Sequence, residues 1–325
     1  MSSTVPPPVT SVLEAASTWL PQGMTTVERR LGELTAAHGA ALASDTGATL
    51  SAGGKRLRPL LVLLCAGPGG GERAVRAATA VELVHMATLV HDDVLDGAPL
   101  RRGRPTIAAS SGRERAVATG DLLFSRAFAE LSAHGGDRQV ELLSSASVSL
   151  ALGELAQRRD AFDTSISGDR YLERCALKTA RLFECACLLG RSESGASTDM
   201  ALATFGREVG VAFQLLDDVL DVTGPPERTG KARGTDLLDG TVTLPLIIAR
   251  EVDPALGEVK LRDLDEAGAA ELCDRIAATG ALERVRALAL ERVGAAKRAI
   301  AGAALSAKER RLLGLVADGV VERYA

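Results

Sequence analysis

Two copies of the string Asp-Asp-Val-Leu-Asp, at 92–96 and 217–221, are the residues of this chain best suited to chemistry. On a helix Asp92 and Asp96 share a face, as do Asp217 and Asp221, because residues four apart lie one above the other. Like charges at that spacing cost roughly 0.2–0.5 kcal/mol even on an exposed helix, and more at the end of an apolar one. A cation would compensate. All-oxygen donors select a hard ion such as Mg²⁺ or Ca²⁺. Mg²⁺ commonly takes one or two protein carboxylates and completes its shell with water and substrate phosphates. Neither string has the Asp-x-Asp-x-Asp-Gly pattern of an EF-hand loop. One such cluster alone is as often a solvated helix end. Two, 125 residues apart and each closing a long apolar segment, point to paired metal sites.

Basic residues beside Gly or Pro supply the complementary charge. Gly53-Gly54-Lys55-Arg56-Leu57-Arg58-Pro59 opens an apolar segment, and helix N-termini attract anions. Arg101-Arg102-Gly103-Arg104-Pro105-Thr106 follows the first acidic string, and Gly230-Lys231-Ala232-Arg233-Gly234 follows the second. Lys178-Thr179 lies inside a largely apolar segment. Arg forks and Lys point charges bind phosphate oxygens. Singly, each cluster is more often a basic surface loop; with two metal sites they describe a pocket for two polyanions and bridging ions.

The elements that must carry these residues read as helices. Tyr, Phe and Trp together make up 3% of the 325 residues, while Ala and Leu dominate, which favours helix over strand. Apolar spacings of 3 and 4 recur over 72–96, 114–133, 137–160, 169–190, 198–222 and 243–252, separated by Gly/Pro breaks such as 67–71, 97–105, 190–195 and 224–234. No convincing period-2 run or solenoid repeat is present. The pattern predicts one all-α domain over 11–325, its last 60 or so residues forming more polar helices, after a disordered leader over 1–10 that holds Pro6, Pro7 and Pro8. The leader lacks the charged and apolar regions of a signal peptide. No stretch is long and apolar enough for a membrane span, and a net charge of −4 argues against a nucleic-acid binder. The five cysteines, at 65, 175, 185, 187 and 273, form no zinc pattern and read as reduced, buried residues of a cytoplasmic protein.

The ordered strings GGKRLRP, HDDVLDGAPLRRGRPT, GDLLFSRA, GELAQ, KTA, FQLLDDVLD, GKARGTD and TLP, from about residue 50 to 250, resemble the trans-prenyl diphosphate synthase (polyprenyl synthetase) family, medium- and long-chain type. The resemblance implies a helical bundle of the isoprenoid synthase type with a central substrate cavity. It also implies Mg²⁺ as cofactor, and condensation of isopentenyl diphosphate with an allylic prenyl diphosphate by ionisation, condensation and elimination. Asp92, Asp96 and Asp217 would hold Mg²⁺, with Asp93, Asp218 and Asp221 in support. Arg101, Lys178, Thr179, Gln214 and Lys231 match positions that bind the allylic diphosphate. Lys55, Arg58, His91 and Arg102 match those that hold isopentenyl diphosphate, although a His beside a carboxylate often only caps a helix. His85 and Phe213 read as packing residues. The family commonly forms homodimers.

One position departs from the family pattern. A second Lys usually stands shortly before Thr-Leu-Pro, where this chain has Thr241. Either one allylic-site cation is missing, or Arg233 replaces it. If it is missing, Thr241→Lys is expected to lower the Michaelis constant for the allylic substrate; an unchanged constant would remove the idea.

A hydrocarbon growing along the first Asp-box helix would pass Thr88 and Ala87, then Val84, then Ala80 and Val81, at about 5.4 Å per turn. Short-chain members carry a bulky aromatic four or five residues before the box, where this chain has Thr88 and Ala87. The expected product is therefore longer than geranylgeranyl, hexaprenyl or above, with Phe124 or Phe128 able to close the channel. Alternatives are a geranylgeranyl or farnesyl diphosphate synthase, a class I terpene cyclase and an inactive regulatory subunit. Cyclases usually replace the second Asp box, and regulatory subunits tend to lose box carboxylates, whereas all six are kept here.

Overall fold

The computed structural model describes residues 12, 14–16, 18–37, 43, 47, 56–101, 103–133, 136–191, 196–224 and 233–322. The expected leader and the basic residues Lys55, Arg102 and Lys231 lie outside the described residues. In chain order the helices are α1 (Leu20–Ala36), α2 (Leu57–Ala66), α3 (Gly71–Leu95), α4 (Ile107–Ser111), α5 (Arg113–Ser132), α6 (Asp137–Arg159), α7 (Gly168–Cys175), α8 (Arg181–Gly190), α9 (Ala196–Thr223), α10 (Thr235–Leu238), α11 (Leu244–Val252), α12 (Glu266–Ala278), α13 (Ala281–Ala301) and α14 (Ala307–Glu322). The all-α architecture expected from composition and periodicity is the one observed. Its one β element among the described residues is an antiparallel pair, β1 (Leu100–Arg101) with β2 (Arg104–Pro105), turned by Gly103 at φ +74°. Two residues per strand are too few to leave a period-2 signal.

The expected helix over 169–190 is interrupted. Between α7 and α8 the backbone widens into a π turn, Ala176–Ala180, which contains Lys178 and Thr179. Such turns add one residue to the hydrogen-bonded loop without changing composition, and they concentrate at functional sites.

Apolar side chains from Val12 to Val320 join in a single core cluster. The acidic strings end the long helices α3 and α9, which are buried on several faces. α3 packs chiefly on α5, and α9 on α13, while α8 touches both α3 and α9 and so links the two helices that carry the boxes. Small residues let α9 approach closely. A Cβ at Gly206 would come within 2.7 Å of the Phe183 carbonyl, and one at Gly210 within 2.6 Å of Ala180 Cα. Continuing that stripe by steps of four and three gives Gln214, Asp217 and Asp221, so the face that touches α8 also carries the second box. Among the described residues no helix is long and apolar enough to cross a membrane. All five cysteines are buried and unpaired.

Candidate active site

Asp92 lies one turn before the end of α3. Burial, with Glu154 and Asp96 adding to it, pushes its carboxyl up to about 6, against the opposing charges of Lys178 and Arg101. No described residue gives it a hydrogen bond. A half-buried carboxylate that no described residue hydrogen-bonds suits a divalent cation. Among the described residues no three His, Cys, Asp or Glu side chains close into a metal cage. The other two carboxyls of the first box have partners. Asp93 is buried and accepts from Arg101 Nε at 2.7 Å, which fixes Arg101 just beyond the box. Asp96 receives Arg158 of α6.

Opposite Asp92, Lys178 pairs with Glu154 at 2.5 Å, and Glu154 also accepts from Arg158 Nε at 2.7 Å. Burial acts to raise Glu154, but Lys178 and Arg158 outweigh it and hold the carboxyl below its usual range. Lys178 owes its place to Gly153, since a Cβ there would sit 2.6 Å from the Lys178 backbone nitrogen. Gly153→Ala must therefore push the π turn and α6 apart. The allylic kcat/KM is expected to drop about 10–100-fold, as ångström displacements of positioning groups can do; an unchanged value would mean that the turn tolerates the shift.

Thr179 leads across to the second box. Its hydroxyl donates to Gln214 Oε1 at 2.7 Å, and Gln214 Nε2 donates to Asp218 Oδ1 at 2.8 Å. Asp218 is almost fully buried and also receives the Tyr171 hydroxyl. Burial, with Asp236 and Asp217 nearby, holds its carboxyl well above the usual range despite those two hydrogen bonds. Asp221 accepts from the Asp236 backbone at 3.3 Å through its side chain, and from the Gly234 backbone at 3.0 Å through its carbonyl.

Arg58, in the first turn of α2, lies over the Phe183 ring at 4.5 Å. Burial lowers its guanidinium to about 10, so it stays charged at neutral pH, and its Nε has no hydrogen-bond partner among the described residues. Arg56, left-handed at φ +47°, anchors the start of the helix through Glu82 at 2.7 Å and Glu28 at 2.6 Å. His91 stacks on Phe124, with ring centroids 5.9 Å apart, and its Nε2 lies 3.3 Å from the Val117 carbonyl and 3.4 Å from Asp121. The ring is thus oriented from α5. Phe213 packs on the core against Phe183, while His85 is half-buried.

Thr241 follows Gly240, whose carbonyl accepts from Phe162 N at 2.7 Å, and its own nitrogen donates to the Asp236 carbonyl at 2.7 Å. Arg233 is already engaged, by the Val222 carbonyl at 2.5 Å and by Asp274 at 2.7 Å. Its charge is therefore matched before any substrate arrives, which weighs against substitution for the absent Lys. Sequence reasoning passed over Glu154, Arg158 and Tyr171. Glu154 did stand in the string GELAQ, but nothing local linked it to Lys178.

The model of the Polyprenyl synthetase family matches residues 41–271. The chain is 40% identical over 283 residues to heptaprenyl diphosphate synthase component 2 of Geobacillus stearothermophilus, covering 85% of this chain and 88% of that protein. A polyprenyl synthase of Caulobacter crescentus CB15, solved with calcium and isoprenyl diphosphate, superposes with a TM-score of 0.91 at 34% identity over 98% of both chains. A decaprenyl diphosphate synthase of Rhodobacter capsulatus gives 0.87 at 33% identity, over 98% of this chain and 99% of that one. The chain belongs to the polyprenyl synthetase family.

Proposed function

We propose that this chain condenses isopentenyl diphosphate with an allylic prenyl diphosphate to make a linear all-trans polyprenyl diphosphate longer than geranylgeranyl. The observation that carries this reading is the hydrogen-bonded bridge from Thr179 through Gln214 to Asp218, with Lys178, next to Thr179 in the same turn, acting through its charge on the carboxyl of Asp92. Asp92, Asp96 and Asp217 would hold Mg²⁺, which when bound supplies positive charge against the leaving diphosphate. Lys178 and Arg101 add fixed cations on the same side, and Lys231, Thr179 and Gln214 complete the allylic diphosphate site. Preorganised charge of this kind favours the ionised state. Arg58, with Lys55, Arg102 and His91, would hold isopentenyl diphosphate. The unpartnered Nε of Arg58 supports an anion there, since a buried N–H without an acceptor is costly.

In the reaction the allylic C–O bond breaks and the isopentenyl double bond attacks the cation. A proton then leaves to the released diphosphate. No Ser or Cys nucleophile is required.

Ala80, Val81, Val84 and Ala87 are all fully buried on α3, and Thr88 is half-buried. We assign them to the wall along which the hydrocarbon extends, with Phe124 and Phe128 of α5 beyond. Ala87→Phe is expected to shorten the product by one or more isoprene units; an unchanged product distribution would mean that the channel runs elsewhere.

For assembly we propose a homodimer through α6. Val148, Leu152 and Leu155 are 57%, 52% and 66% exposed on one face. In an antiparallel pairing of two α6 helices Val148 would meet Leu152 of the second copy, and Glu141 would meet Arg159. A two-component enzyme is the second reading, favoured by the relative named as component 2. Work in the cytoplasm is consistent with five unpaired buried thiols.

Incubating the purified chain alone with labelled isopentenyl diphosphate, farnesyl diphosphate and Mg²⁺ tests the proposal. A ladder of linear prenyl products is expected. Cyclic hydrocarbon would mean a cyclase, and absence of product a chain that needs a second component.

A further inference from the structure

Tyr171 is 1% exposed, on the helix that runs into the π turn, and its hydroxyl reaches the second Asp box at Asp218. Its hydroxyl donates to Oδ2 of Asp218, while Gln214 Nε2 donates to Oδ1 at 2.8 Å. Both oxygens of this carboxylate are therefore occupied by neutral donors of the protein itself. Thr179, eight residues after Tyr171, makes the next contact along the same pair of elements, to Gln214 Oε1 at 2.7 Å. The two contacts clamp α7 and the π turn to α9 as rungs of an antiparallel pair.

We infer that Tyr171 is a positioning residue for the allylic diphosphate, acting through Asp218 on the orientation of Gln214 and Thr179. This inference rests on the prenyl transfer proposed above. An amide side chain can present either end, and its neighbours decide which. Because Asp218 accepts, Gln214 turns its nitrogen toward it and its oxygen toward Thr179. The second N–H of that amide is then the donor left for a phosphate oxygen. Without the Tyr171 hydroxyl, Oδ2 of Asp218 is buried without its donor, an arrangement that folded proteins avoid. The carboxylate then turns to take the second N–H of Gln214, and the donor reserved for the substrate is lost. Arg58 belongs to another helix and has no part in this chain of hydrogen bonds, so isopentenyl diphosphate should not register the change.

The test is calorimetric, on the full chain with Mg²⁺, using the unreactive farnesyl thiolodiphosphate and, separately, isopentenyl diphosphate. Wild type, Tyr171→Phe, Asp218→Asn and the double variant are compared. Tyr171→Phe is expected to weaken the allylic analogue about tenfold, the scale of one hydrogen bond to a charged group, and to leave the isopentenyl Kd within about twofold. In the Asp218→Asn background the same substitution should add little, because the group it acts through is already altered. Partial unfolding of a variant reduces the binding-competent fraction and so affects both ligands by the same factor, and it cannot imitate the split. Equal weakening of both ligands, an unaltered allylic Kd, or a full tenfold effect persisting beside Asp218→Asn would overturn the inference. Wild-type protein that binds neither ligand would overturn the prenyl-transfer reading together with it. Wild-type binding with an indifferent Tyr171→Phe would overturn this inference alone.

Discussion

Asp92→Asn is expected to lower the allylic kcat/KM by at least about 10³-fold, since a metal-held leaving group draws several kcal/mol from the ion and each 1.36 kcal/mol is tenfold in rate. Stability should move in the opposite direction. Burial raises the Asp92 carboxyl from an ordinary 3.8 to about 6 in the metal-free protein. A group raised on folding contributes most stability below its ordinary value, and that contribution is lost as pH rises through about 6. At pH 7 the buried negative charge therefore costs up to about 3 kcal/mol. Asn imitates the protonated form and escapes that cost. Metal-free Asp92→Asn should accordingly melt a few degrees above wild type at pH 7 and about level with it near pH 4. Melting curves in chelator, set beside the kinetics, check both halves. Retained activity or a lower melting point at pH 7 would contradict the role given to this residue.

The second large effect is expected at Lys178. Lys178→Met keeps the length of the side chain and removes its charge. Loss of one fixed cation from the leaving-group site is expected to cost about 10²–10³-fold in kcat/KM, the range seen when a single stabilising donor is deleted. The pH profile should change as well. After burial, the charge of Lys178 is the largest influence on Asp92, and it acts downward. Without it Asp92 rises further, so the acid limb of kcat/KM should move to higher pH. Glu154 would lose the nearer of the two cations that hold it below the usual carboxylate range, and should rise too. An acid limb that stays in place would mean that Asp92 is not the group titrating in it.

How much of this was legible in the sequence depends on whether the signal was local. The acidic strings repeat at four-residue spacing, and their apolar helices have a clear period, so both could be read directly. α3, α5, α6, α9 and α11 begin and end close to the expected boundaries. The contacts that position the site are different in kind. Glu154 meets Lys178 across 24 residues of sequence, Tyr171 meets Asp218 across 47, and Arg158 meets Asp96 across 62. No periodicity within one helix reports a partner on another. The π turn is hidden for a related reason: one extra residue in a hydrogen-bonded loop leaves the composition of 169–190 unchanged. Gly153 stood in the string GELAQ without a reason and Gly210 in an apolar segment, and their purpose appears once a Cβ is found to have no room. Thr241 was readable as a departure from the family pattern. That Arg233 is already committed to Asp274 was not.

The most direct measurement is a crystal structure of the chain with Mg²⁺ and farnesyl thiolodiphosphate. Metal ions bridging the diphosphate to Asp92 and Asp96 on one side and Asp217 on the other are expected, with Arg158 released from Asp96. A diphosphate bound away from both strings, with the six carboxylates facing separate regions of solvent, would contradict the assignment.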